Sequence, residues 1–101
     1  MPKYSIVVPL HNEQENVTDL YDRLKAVMEA NGDSFEIVLV DDGSSDRTAE
    51  CAREAGDSRV EVLTHERRSG VGAAILTGYR HALAALLWDT VVPRLTPRNG
   101  E

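Results

Sequence analysis

Residues 35–42 read FEIVLVDD, an apolar run that ends on two adjacent carboxylates, Asp41 and Asp42. From Ile37 to Val40 the side chains do not alternate apolar with polar, so a strand here is buried on both faces. That is the signature of a central strand in a parallel sheet, whose faces are covered by helices. Few folds accommodate such a strand in 101 residues, and the flanking sequence narrows the choice further.

The first eighty residues repeat one rhythm. Ser5 to Pro9 (SIVVP) is a short apolar run, and Val17, Leu20, Tyr21, Leu24, Val27 and Met28 follow at helical spacing. Asn12 and Glu15 predict a capping-box variant at the start of that helix, and Asn31-Gly32 its stop. After the Phe35–Val40 strand, Ser45 or Asp46 caps a second helix that ends at Gly56. Val60 to Leu63 is a third strand. A third helix is expected from Gly72 to the mid-eighties, with Ala74, Gly78 and Ala82 forming a small-residue stripe that permits close approach to a sheet. Strand and helix alternating through short links predict an α/β fold of right-handed βαβ units on a parallel, Rossmann-like sheet.

The last twenty residues break the rhythm. Leu83, Leu86 and Leu87 prolong the third helix, Val91-Val92 is too brief for a strand, and Pro93 and Pro97 forbid regular continuation. Disorder is expected from Pro93, and Trp88 reads as a packing residue. The expected division is therefore residues 1–82 as the folded unit and 83–101 as an atypical helix extension with a disordered tail.

Charge and composition exclude several classes. A net charge of −6 argues against a nucleic-acid phosphate backbone as partner. The single Cys51, set among alanines, allows no internal disulfide and reads as a small helix residue. No stretch approaches the ~20 apolar residues of a membrane span, and the start is too short in apolar residues for a signal peptide. A cytoplasmic location is the expectation.

In open parallel sheets ligands bind beyond the carboxyl ends of the strands. Three loops emerge there: Pro9 to Glu13, Asp41 to Asp46, and His65 to Gly72. Turn and capping chemistry accounts for Ser45 and Asp46. Asp41 and Asp42 stay open between the same turn and capping chemistry and ligand binding. As ligand groups, Asp41, directly after a buried run, suits an acceptor for a nucleobase edge, and Asp42 a partner for a ribose hydroxyl or a cation. Arg67 and Arg68 have two open readings, a solvated pair or groups that approach a ligand's phosphates.

Rival motifs fail on spacing. Gly70-Val71-Gly72 would need a third glycine at position 75, which is Ile75, and it follows the third strand instead of the first. No P-loop GK[ST] is present. The acidic pair follows the wrong strand for a phosphoacceptor receiver. His11, His65 and His81 lack metal-ligand spacing, and His81 is expected on a helix surface.

The segments SIVVPLHNEQEN, EIVLVDDGSSDRT and SGVGAAILTGYRHA, taken together, resemble the N-terminal half of a family 2 glycosyltransferase of GT-A fold. The resemblance is strongest to the branch of dolichyl-phosphate mannosyltransferases and bacterial polyprenyl-phosphate sugar transferases, and it spans roughly residues 4–82. It implies a glycosyltransferase that binds the nucleotide part of a UDP- or GDP-sugar donor for transfer to a polyprenyl-phosphate or other acceptor. The residues it assigns to that half are Pro9, His11 (usually Tyr in the family), Glu13, Leu39, Asp41 and Asp42. The family also implies Mg²⁺ or Mn²⁺, held by an Asp-X-Asp motif that this sequence does not contain. The loss of pattern after Ala82 reads as truncation or a frame shift ahead of that motif and of the catalytic base, so no catalytic residue is assigned. The alternative is a catalytically inactive α/β or interaction module. The family's strand order would leave an edge open beside the first strand, and self-association through it is expected. A full-length form would be expected to associate with a membrane.

Overall fold

The computed structural model describes residues 2–90, with side chains through Leu86. Strands and helices alternate throughout: β1 (Tyr4–Leu10), α1 (Val17–Asn31), β2 (Phe35–Asp41), α2 (Thr48–Ala55), β3 (Val60–Thr64) and α3 (Val71–Thr90). The three strands form one parallel sheet in the order β1-β2-β3.

The non-alternating run has the predicted consequence. Ile37, Val38, Leu39 and Val40 are each at most 1% exposed. Ile37 and Leu39 face α1 and α2, packing with Leu10, Val17, Tyr21, Phe35 and Ala52. Val38 and Val40 point the other way, toward Ala74 of α3 with Val7 and Leu63 alongside. The core is thus two thin layers that share one strand.

The small-residue stripe brings α3 onto the sheet. Ala74 is fully buried, and a Cβ at Gly78 would stand 2.3 Å from Cγ1 of Val7 and 3.2 Å from Cγ2 of Val40. The helix begins at Val71 and continues through Thr90, past the expected mid-eighties end. Residues 79–90 contain neither Gly nor Pro, so nothing local stops it short of Thr90. His81, expected on the surface, is half-buried. The expectations for Trp88 as a packing residue and for the tail from Pro93 fall outside what is described.

Two caps differ from the sequence reading. α1 starts at Val17, not near Asn12, and Asn12 adopts a left-handed backbone with φ 52°. The expected Asn12–Glu15 box does not form, because Asn12 is bonded to the loop after β2 instead. At α2 the N-cap is Arg47, which makes no side-chain cap bond, and Asp46, one residue earlier, accepts from the Thr48 N–H through Oδ1 at 3.0 Å. Ser45 instead gives its N–H to Oδ1 of Asn12. The Gly32 stop holds as expected, left-handed at φ 86° with its N–H bonded to the Glu29 carbonyl.

Candidate functional site

The ladder hydrogen bonds continue one step past the strands and so align the three loops at the carboxyl edge. The Asp42 N–H donates to the Leu10 carbonyl, and the His65 N–H to the Asp41 carbonyl, each at 2.8 Å. Beyond that point the first two loops satisfy one another's polar groups. The Asn12 N–H donates to Ser44 Oγ, the Glu13 N–H to Thr48 Oγ1, and the Arg47 N–H to Gln14 Oε1. His11 lies 2.9 Å from the Asp42 carbonyl through Nδ1, which therefore carries a proton in that bond.

Two neighbouring carboxylates coexist here because they diverge. Successive strand residues point to opposite faces, so Asp41 follows Ile37 and Leu39 while Asp42 follows Val38 and Val40. Both are buried, at 5% and 3% exposure, and each is satisfied separately. The Ser44 hydroxyl donates to Oδ1 of Asp41. Asp42 Oδ1 accepts from His65 Nδ1 and from the Ser69 N–H, both at 2.8 Å, and Oδ2 accepts from the Gly70 N–H at 2.9 Å. The His65 bond and the two loop amides outweigh burial and hold the Asp42 carboxyl down at about 2.

His65 completes a chain of contacts. Its Nε2 lies 2.8 Å from Thr77 Oγ1 on α3. A carboxylate only accepts, so Nδ1 bears the proton toward Asp42. A neutral ring then accepts the Thr77 hydroxyl at Nε2. Sequence reading did not single out His65 as a partner of Asp42. The available signal was strand register: Asp41 pairs with Thr64, which sets Asp42 level with His65.

A cleft of about 190 Å³ opens at this edge, lined by Pro9, Leu10, His11, Glu13, Asp42, Arg68 and Val71. It falls below the ~300 Å³ at which small-molecule sites begin, so it has room for part of a ligand, such as a base or a sugar ring. Four of the six sequence-assigned residues meet there: Pro9, His11, Glu13 and Asp42. Asp41 is outside the lining. Leu39, expected to line a base pocket, is 1% exposed and packed against α1 and α2, where it offers a ligand almost no surface. Asp42 presents no unbonded carboxylate oxygen toward a ribose or cation, because the loop after β3 has taken both. A larger concavity of about 600 Å³ lies at the opposite edge beside Phe35 and Arg59. Its cation is already paired, Arg59 lying 2.9 Å from Glu29 and 2.8 Å from Asp57.

The described residues do not make a Mg²⁺ or Mn²⁺ site. Among the described residues no cluster of three or more His, Cys, Asp or Glu side chains could hold a metal ion. Asp41 and Asp42, adjacent in sequence, diverge and are already hydrogen-bonded. Among the same residues, no helix is long and apolar enough to cross a membrane.

Comparison with known proteins places these features in a lineage. The family model of glycosyl transferase family 2 matches residues 5–88, a few residues beyond the 4–82 span of the motif resemblance. Undecaprenyl-phosphate 4-deoxy-4-formamido-L-arabinose transferase of Edwardsiella ictaluri is 45% identical over 80 residues, which cover 76% of this chain and 25% of that protein. The enzyme of the same name from Salmonella dublin is 40% identical over 88 residues, 84% of this chain and 27% of the relative. This chain thus spans about a quarter of the length of these relatives. Among solved structures, a mannosyltransferase from Pyrobaculum calidifontis in complex with GDP-Man and Mn²⁺ superposes with a TM-score of 0.62. At 24% identity, covering 79% of this chain and 24% of that one, the match establishes a shared, partial GT-A-like fold.

Proposed function

The chain belongs to glycosyl transferase family 2, in the polyprenyl-phosphate branch, and from that premise we propose that its strand-end cleft holds the nucleoside half of a UDP- or GDP-sugar donor. The observation that carries this reading is the meeting of Pro9, His11, Glu13 and Asp42 around one cleft, although they come from two loops about thirty residues apart. The His11 ring supplies a flat face, and Glu13 a carboxylate acceptor for ligand hydroxyls or N–H groups. Asp42 contributes by holding the wall that bears Arg68. Asp41 serves the same half from beneath, through Ser44 and the backbone of the second loop.

Residues 1–82 form the donor-binding unit in this reading, and the sugar passes to a polyprenyl-phosphate acceptor. Such an acceptor resides in a bilayer, which sets the work of the complete enzyme at a membrane surface. The related mannosyltransferase was solved with Mn²⁺, but the described residues supply no ligand set for that ion.

A second reading, a non-catalytic interaction module, is favoured by one observation. An apolar groove runs beside β1, with Val7, Tyr79, Ala82, Leu83 and Leu86 in its walls.

The deciding experiment is a ¹⁵N–¹H NMR titration with UDP and with GDP, each with and without Mg²⁺. Shifts at the amides of His11, Glu13 and Asp42 that do not depend on Mg²⁺ are expected. A dispersed spectrum unmoved by millimolar nucleotide overturns the donor-binding reading in favour of the interaction module.

A further inference from the structure

We infer that His65 is the positioning residue of the cleft, fixing the β3–α3 loop through Asp42 so that Arg68 and Val71 form its far wall. The inference rests on the nucleotide-binding reading for its functional meaning, though not for its geometry.

The loop of residues 65–70 has few other anchors to the sheet. Its backbone is tied at its start, where the His65 N–H meets the Asp41 carbonyl. Every other bond from it to β2 or its loop is made by the Asp42 carboxylate, to His65 Nδ1, Ser69 N–H and Gly70 N–H. The remaining Ser69 side-chain bond is local, to the Arg67 carbonyl. Asp42 is therefore the post, and the loop is wrapped around it.

His65 decides where that post stands. It is the one group in the cluster that bonds on both sides, to Asp42 at 2.8 Å and to Thr77 of α3 at 2.8 Å. It thereby locks the end of β2 to the helix that carries Val71. Protonation does not break the arrangement. An imidazolium donates from Nδ1 to Asp42 and from Nε2 to the Thr77 oxygen, whereas the neutral ring accepts the Thr77 proton. Loss of the ring leaves Asp42 with two amide donors and no lateral tie, and leaves the wall bearing Arg68 to shift.

The test compares His65→Leu with His65→Asn, whose side-chain amide can place an N–H where Nδ1 stands. Two readouts are needed: hydrogen exchange at the Ser69 and Gly70 amides, and the Kd for UDP or GDP, whichever the intact chain binds. His65→Leu is expected to speed both exchanges and weaken binding by about tenfold or more, as for the loss of one hydrogen bond to a charged group, with His65→Asn keeping both within about threefold. If His65→Leu does not fold, Thr77→Val releases only the Nε2 side and is read the same way.

Unchanged exchange in His65→Leu, or an Asn variant as impaired as the Leu variant, overturns the inference. So does faster exchange with an unchanged Kd, which reduces His65 to a structural tie. If the intact chain binds neither nucleotide, the functional reading fails on its own, and the exchange data alone decide whether His65 holds the loop.

Discussion

Gly43 and Arg68 touch backbone to backbone: a Cβ on Gly43 would lie 2.4 Å from the Arg68 nitrogen and 2.5 Å from the Arg67 carbonyl carbon. The loop after β3 thus rests directly on the turn after the paired carboxylates. Gly43 also has φ 65°, in the left-handed region. These two constraints are independent, and both disfavour a side chain.

Gly43→Ala is accordingly expected to destabilise the fold by at least about 1–3 kcal/mol from the backbone conformation, with the collision adding to it. Urea unfolding measures the loss. The substitution should also push Arg67 and Arg68 outward and weaken nucleotide binding. An alanine variant as stable as the parent would mean that the two loops do not pack as described.

A second close approach yields a double-mutant test. Gly78→Ala improves helix propensity by ~1 kcal/mol but drives a methyl into Val7 at 2.3 Å. Overpacking of this kind costs about 1–3 kcal/mol, so net destabilisation is expected. Val7→Ala removes the colliding Cγ1 atom. The double variant should therefore be more stable than the sum of the singles by at least about 0.5 kcal/mol. Simple additivity would sink the packing argument.

Acid sensitivity follows from carboxylates held below their ordinary range. Asp42 stands at about 2, chiefly through its His65 bond; Asp46 is lowered by the Thr48 hydroxyl and Asp57 by the Arg59 guanidinium. A depressed folded pKa stabilises above the unfolded value and loses that contribution as pH falls through the folded one. Stability should therefore be level near neutrality and decline from about pH 4 toward pH 2. Urea midpoints between pH 7 and 2 report this. Asp42→Asn should be less stable than the parent at pH 7, with the gap closing toward pH 2. A gap that stays constant would show that the Asp42 charge does not contribute.

The parts of the fold that sequence reading found are those with a local signature. The β2 run, the Val17–Met28 periodicity, the Gly32 stop and the Ala74–Gly78 stripe each announce themselves within a few residues. The caps it misplaced are decided across the sheet. Asn12 has a good capping side chain, but its partners are Ser44 and Ser45, 32 and 33 positions away. Separations of 23, 27 and 28 positions likewise hid the role of Asp42. Asp-Asp-Gly-Ser reads locally as a ligand loop, and only the alignment of Thr64 with Asp41 reveals that His65, Ser69 and Gly70 occupy that carboxylate. Leu39, which the family resemblance assigns to a base pocket, is packed against α1 and α2, a burial set by the strand's face and not visible in the motif itself.

The Tyr4 N–H and the Leu10 carbonyl both point at β2 or its approach, so by the strand's two-residue period Ser5, Val7 and Pro9 turn their backbone groups outward. Pro9 has no N–H, which removes one donor from that edge and suits a strand with no neighbour on that side. Ser5 and Val7 still offer donors and acceptors, next to exposed Tyr79 and Leu83 of α3, at 59% and 40%. Self-association through β1 is therefore expected, and sedimentation velocity across a range of concentrations should show it. Leu83→Glu, on the flank of the groove, should shift the chain toward monomer while leaving the donor cleft at the other end of β1 intact. A clean monomer of the parent chain at high concentration would mean that Pro9 and the twist of the strand blunt the edge sufficiently on their own.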